Sequence, residues 1–297
     1  MNQAFREWFV HTPIWRLVRD HSTPERKKAL LRKYVRLIGL WNEKRYWLMA
    51  LRRLHRPWIY FLDVFSRSQS TRVLEFALRG GPKVFIRAGS NDRFIFDEIF
   101  FQEIYRRGLP PASATIKTIV DVGAQVGMTS LWLHTLYPEA QIYSLEPMPE
   151  NASQLEKNIA NNQWSSHIHA HRLALSDKKG EIVMTRNPEN KGGHSMFAQE
   201  FHGEEVRVPC MSLEDFFVQQ GIQACDFMKM DVEGAEYPIF YASSAQTIEK
   251  IRCLAMEHHT IVGHDTYHGA ALEKFLLDHG FVVVRDKNVL FASRTQA

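Results

Sequence analysis

The chain has 297 residues, 45% hydrophobic and 24% charged. These are the proportions of a globular protein with one large core and a smaller attached region, and they exclude a disordered or fibrous chain. The formal charge is +4, but residues 1–56 hold fourteen Lys and Arg against four Asp and Glu, an excess of ten, which leaves the remainder at −6. Cys210, Cys225 and Cys253 are scattered without a C-x-x-C pair. That argues against a disulfide framework or zinc finger and for a reducing, cytoplasmic setting. The N-terminus lacks a signal-peptide pattern, and no run approaches the roughly 18 apolar residues of a membrane span.

From Pro24 to Arg56 the pattern is helical, with Leu30, Tyr34, Ile38 and Trp41 at steps of three and four. Five of the seven tryptophans (Trp8, Trp15, Trp41, Trp47 and Trp58) precede residue 60. The simpler reading is helices burying an apolar face. The sharper one is a basic-aromatic surface for an anionic membrane or glycolipid, or for pairing two copies as a homodimer; nucleic acid is the less favoured partner. Residues 1–65 are therefore expected to form a helical N-terminal region and residues 66–297 the main domain.

Two β-like runs, 73–78 and 83–87, flank Gly80-Gly81-Pro82 and predict a hairpin. A helix is expected from Asp97 to Arg107. From Thr118 onward strands and helices alternate. Strands are expected at 119–123, 141–145, 169–175, 226–230 and 252–256, and helices at 129–136, 150–161 and 270–278. The alternation predicts a doubly wound, Rossmann-like α/β domain with a mostly parallel sheet. Residues 281–284 and 289–292 around Arg285-Asp286-Lys287-Asn288 predict an antiparallel C-terminal hairpin.

In such sheets ligands bind beyond the carboxyl ends of the strands. The first strand ends in Asp121-Val122-Gly123-Ala124-Gln125-Val126-Gly127. Its G-x-x-x-G spacing is not the G-x-G-x-x-G on which a pyrophosphate rests, which argues against a nicotinamide dinucleotide. Glu146 ends the second strand, where a carboxylate can accept both hydroxyls of a ribose. Ala174-Leu175-Ser176-Asp177 offers polar groups near a base. Asp231 ends the fourth strand, with Glu233 and Glu236 after it, and Glu257 ends the fifth, followed by His258 and His259.

These residues resemble the FkbM-type methyltransferases. The match runs through Val120-Asp121-Val122-Gly123-Ala124, Gly127, Leu145-Glu146-Pro147, Pro149, Asn151, Leu155, Asn158-Ile159, Asn162, Ala174-Leu175-Ser176-Asp177 and Gly180. It closes on Met228-Lys229-Met230-Asp231-Val232-Glu233-Gly234-Ala235-Glu236 and Glu257. Arg87-Ala88-Gly89-Ser90-Asn91-Asp92 and Phe94 resemble the segment that precedes these motifs in the family. Gln125 departs from the pattern, which more often has Asn.

The resemblance implies S-adenosylmethionine as cofactor and transfer of its methyl group to oxygen, on a sugar, glycan or natural-product small molecule. Asp92, Phe94, Asp121, Gly123, Ala124, Gly127, Glu146, Pro147, Ser176 and Asp231 are the expected cofactor contacts. Asp231, His259 and His194 are the candidate catalytic groups, a histidine being suited to proton uptake near neutrality. No metal is expected; if one binds, Asp231, Glu233 and Glu257 are the candidate ligands. The competing readings are an RNA methyltransferase with a basic N-terminal arm, a non-catalytic scaffold on the same fold, and an NAD oxidoreductase.

Overall fold

In the computed structural model, the described residues are 44–64, 72–186 and 204–294. The chain divides into two compact units, 1–52 and 53–297. The helix Lys44–Arg53 crosses that boundary. Residues 53–64, which the sequence pattern groups with the N-terminal region, pack within the second unit. There Leu54 bridges Leu78, and Tyr60 sits against Phe76 and Phe101 with ring centroids 5.5 and 6.0 Å away. The basic region up to residue 43 and His194 lie outside the described residues. Among the described residues no helix is long and apolar enough to cross a membrane. The three cysteines are buried and free.

The Gly-Gly-Pro hairpin forms as expected. β1 (Val73–Ala77) pairs antiparallel with β2 (Lys83–Arg87), and alternation buries Leu74, Phe76, Val84 and Ile86. The helix expected over 97–107 is instead three short pieces: an α-helical turn Asp92–Phe96, a π-helical turn Asp97–Gln102 and a 3-10 turn Arg106–Gly108. The path changes at Glu103, whose φ of 53° is left-handed. The wider π turn lets consecutive Phe100 and Phe101 both reach the core beside Phe96.

The main sheet has the order β11-β12-β10-β9-β3-β4-β5. Its strands are β3 (Thr118–Val122), β4 (Gln141–Leu145), β5 (Ile168–His171), β9 (Cys225–Met230), β10 (Ile251–Glu257), β11 (Val282–Asp286) and β12 (Val289–Ser293). β3, β4, β5, β9 and β10 are mutually parallel, while β12 runs antiparallel between β10 and β11. The terminal hairpin expected from sequence is therefore present. Every residue of β9 is buried, as a central strand covered on both faces requires. Successive strands spread from β3 in both directions, so the topological switch lies between β3 and β9.

The strand expected over 169–175 is split. β5 stays in the main sheet, while β6 (Ala174–Leu175) joins β8 (Glu205–Met211) and β7 (Gly180–Thr185) in a separate sheet of order β6-β8-β7. A tight turn, Leu173 N–H donating to His171 O at 2.9 Å, makes the change of direction.

Amides on one helix face explain several of the family-like asparagines. On the helix Pro149–Asn161, Asn158 Oδ1 accepts from Phe85 N at 2.8 Å, while its Nδ2 donates to Val126 O at 2.7 Å. Gln154 donates to Phe85 O, and Asn162, just past the helix end, both accepts from and donates to the Lys83 backbone. The i, i+4 spacing aligns the three amides along one face, and they clasp the otherwise unpaired edge of β2.

Candidate cofactor and catalytic site

A cleft opens beyond the carboxyl ends of β3, β4, β9 and β10, where a doubly wound sheet places its ligand. Gly123, Ala124 and Gln125 form its floor. Glu146, Pro147 and Met148 stand on one side, and Asp231, Val232, Glu233 and Glu257 on the other. Leu173, Ala174, Leu175, Ile182 and Met184 make an apolar wall, and the π and 3-10 segment adds Glu98, Ile99, Ile104 and Tyr105.

The floor is tightly constrained. Gly123 and Ala124 N–H both donate to Leu145 O, and Asp231 N–H donates to Val122 O. Gly123 has φ +75°, and a Cβ there would lie 1.9 Å from Asp231 O, so this point admits glycine alone. Gly127, φ +88°, begins the helix Met128–Leu136, where a Cβ would strike Leu155 Cδ1 at 2.5 Å. Gln125 occupies the left-handed region at φ 53°. Asn is among the residues that adopt that region most readily, which gives the departure at this position a physical meaning: the longer side chain costs backbone energy while its amide is kept.

Asp121 has no exposed surface and does not line the cleft. Its Oδ2 accepts from Ser130 Oγ at 2.6 Å, and its Oδ1 lies 3.5 Å from Lys229 Nζ. Lys229 in turn donates to Gly123 O at 2.7 Å. Asp121 thus holds the glycine loop through a buried lysine. Sequence reasoning did not single out that lysine, although a lone cation within Phe227-Met228-Lys229-Met230 is its visible signal.

Glu146 lies at the end of β4, 5% exposed. Its Oε2 accepts from Gln125 N at 2.9 Å, and its Oε1 accepts from Met148 N at 2.9 Å and from Asn151 Nδ2 at 3.4 Å. A carboxylate offers about four acceptor positions, so capacity remains for hydroxyl donors in the cleft. Burial pushes its pKa up to about 7, against the lowering effect of the backbone N–H groups of Met148 and Gln125.

The opposite side gathers charge. Asp231, Glu233 and His259 each bring one ligand atom within 4.8 Å of the others. His259 Nδ1 faces Glu236 Oε1 at 3.0 Å, and Nε2 faces Glu233 Oε2 at 3.3 Å. Burial pulls the His259 pKa down, but the Glu236 hydrogen bond and the charges of Glu236, Glu233 and Asp231 prevail and hold it up at about 10. Burial raises Glu233 to about 7, with His259 opposing and Asp231 adding to the rise. Glu257 is likewise pushed up, by burial first and Asp231 second. Glu233 sits at φ 52°, a conformation that costs on the order of 1–3 kcal/mol and clusters at functional sites. Glu257 lines the cleft but stands outside the Asp231–Glu233–His259 group.

Gly123, Ala124, Glu146, Pro147 and Asp231 are thus brought to one cleft. Asp92, Phe94, Asp121, Gly127, Ser176 and His259 do not line it, although His259 contacts Glu233, which does. Asp92 is buried against Arg87, which it binds at 2.7 and 2.9 Å, and Arg87 reaches on to Asn151 Oδ1 at 2.8 Å. Phe94 is 52% exposed beneath the Arg93 guanidinium. Ser176 is buried and donates to Asp177 Oδ1.

The Methyltransferase FkbM domain family matches residues 121–283. "Methyltransferase sdnD" of Sordaria araneosa is 28% identical over 66% of this chain and 84% of its own length. "31-O-demethyl-FK506 methyltransferase FkbM" of Streptomyces tacrolimicus is 26% identical over 72% of this chain and 90% of its own length. "2-O-methyltransferase NoeI" of Sinorhizobium fredii (strain NBRC 101917 / NGR234) is 25% identical over 47% of this chain and 62% of its own length. With the strand order, the terminal hairpin and the cleft, this match establishes that the chain belongs to the FkbM methyltransferase family and is an S-adenosylmethionine-dependent methyltransferase.

Proposed function

We propose that the enzyme methylates a hydroxyl of a sugar, glycan or natural-product small molecule. The observation that carries the reading is the gathering of Asp231, Glu233 and Glu257 at one end of the cofactor cleft, the two glutamates held by burial above their ordinary range. A hydroxyl acceptor must lose a proton as it is methylated, and a buried carboxylate poised near neutrality can take it. Two of the relatives carry "O-methyltransferase" or "31-O" in their names, which supports oxygen as the acceptor atom.

The described residues fit S-adenosylmethionine. Glu146 would hold the ribose hydroxyls, the Leu173–Leu175, Ile182 and Met184 wall would cover the adenine, and Asp231 and the Gly123–Ala124 backbone would meet the amino-acid end. When bound, the cofactor supplies an electrophilic methyl group on a sulfonium. The protein orients the acceptor in line and receives its proton. Glu257, expected from sequence only as a possible metal ligand, receives that role at its carboxylate. Asp231 positions cofactor and acceptor. His259, held between Glu236 and Glu233, positions Glu233. His194 receives no role, lying outside the described residues.

Calorimetric titration of S-adenosylmethionine, with Glu146→Ala as control, tests the cofactor assignment. A panel of hydroxylated and amine acceptors, assayed by mass spectrometry of the product, tests the acceptor atom. Methyl transfer to amines alone would overturn the reading.

A further inference from the structure

We infer that Asp231, Glu233 and His259 bind a divalent cation of the first transition series. His259 Nε2 and Glu233 Oε2 are 3.3 Å apart; two donors at about 2.1 Å from one tetrahedral ion are about 3.4 Å apart. Asp231 completes the trio, with all three ligand atoms within 4.8 Å of one another. An imidazole with two carboxylates suits Mn(II) or Zn(II) better than Mg(II), which favours oxygen and water.

A second observation concerns the residue behind the trio. Glu236 is fully buried, and its Oε1 faces His259 Nδ1 at 3.0 Å. A carboxylate on the far nitrogen is the arrangement that fixes a ligating histidine and turns Nε2 toward a metal. Glu236 Oε2 has no hydrogen-bond partner among the described residues. A buried, under-satisfied carboxylate is costly; a metal would take the place of the proton on His259 Nε2, leaving Nδ1–H donated to Glu236.

The cation already in the described cleft lining, Lys229, is engaged by Asp121 and Gly123 O. Glu98, Asp231, Glu233 and Glu257 line the same cleft. The negative charge at this end therefore exceeds what its own side chains neutralise. A metal here would hold the acceptor oxygen as a Lewis acid and leave Glu257 beside it to take the proton. That role rests on the proposed oxygen methylation; the binding itself does not.

The test is Mn²⁺ added to metal-stripped, full-length protein without S-adenosylmethionine, because the cationic cofactor competes for the same charge. Free Mn²⁺ is read by electron paramagnetic resonance and the bound fraction confirmed by calorimetry. One saturable site per chain is expected. It should be weakened by at least about 30-fold in His259→Ala and Glu233→Gln, and about 10- to 100-fold in Glu236→Gln. Circular dichroism melts identify any variant that fails to fold, and the remaining variants then decide. No saturable Mn²⁺ binding, or binding unchanged in the folded variants, would overturn the site. Titration of S-adenosylmethionine in the same samples separates the two ideas. Loss of Mn²⁺ binding with cofactor binding intact removes the metal alone, and the reverse removes the cofactor assignment.

Discussion

Glu146 at the end of β4 and the Asp231–Glu233–Glu257 group at the ends of β9 and β10 all present carboxylates to one cleft, yet their surroundings differ. Glu146 is a single buried acid held by two backbone N–H groups and one amide. Its position is fixed, which suits the proposed hold on a ribose. The opposite side sets acids around one imidazole, and burial and charge repulsion hold protons on Glu233 and Glu257 that ordinary carboxyl groups would release. On the proposed reading, one end serves recognition and the other moves charge. The glycine loop and Lys229 set the distance between them.

Breaking the spacer should have the largest effect. Gly123→Ala forces a Cβ to within 1.9 Å of Asp231 O at a left-handed φ. A loss on the order of 4–6 kcal/mol is expected, read as a collapse of the unfolding midpoint or of soluble yield. Lys229→Met leaves Asp121 buried and unpaired. It should cost about 3–5 kcal/mol in chemical denaturation. A loss below about 1 kcal/mol would show that the ion pair is not what holds the loop.

The two ends should then separate kinetically. Glu257→Gln is expected to lower kcat about 10²- to 10⁴-fold with the cofactor Kd nearly unchanged. An unchanged kcat would move the proton acceptor elsewhere. Glu146→Gln keeps the shape and removes the charge, so cofactor affinity should fall about 10- to 30-fold while kcat at saturation changes little.

The smallest effect is one of pH. The Glu146 pKa of about 7 lies above its ordinary value of 4.5. A raised pKa means that the folded state binds this proton more tightly than the unfolded chain. The group's contribution to stability is full below about 4.5 and lost as pH rises through 7. Cofactor binding runs the other way, because the ionised form accepts the hydroxyls. Affinity should rise up to roughly tenfold from pH 6 to pH 8, and Glu146→Gln should flatten that rise. A rise that persists in the variant would assign it to the acids at the other end.

The chain alone makes the strand ends legible. Alternating hydrophobic runs, the Asp121–Gly127 loop, Glu146, Asp231 and the terminal hairpin are local patterns, and in a doubly wound sheet the carboxyl ends of the strands are where ligands meet. It also carried Asn151, Asn158 and Asn162 as motif positions without their purpose, which is to clasp β1–β2 and its Arg87. The remainder depends on partners distant in sequence. Asp121 is turned inward because Lys229 waits 108 positions away in a parallel neighbour. Asp92 faces Arg87 rather than the cleft. The π turn and the split after β5 follow from core packing and sheet exchange, which no local periodicity encodes. His259 joins Glu233 and Glu236 because β9 and β10 are adjacent: carboxylates that follow one strand end in the chain meet an imidazole that follows another.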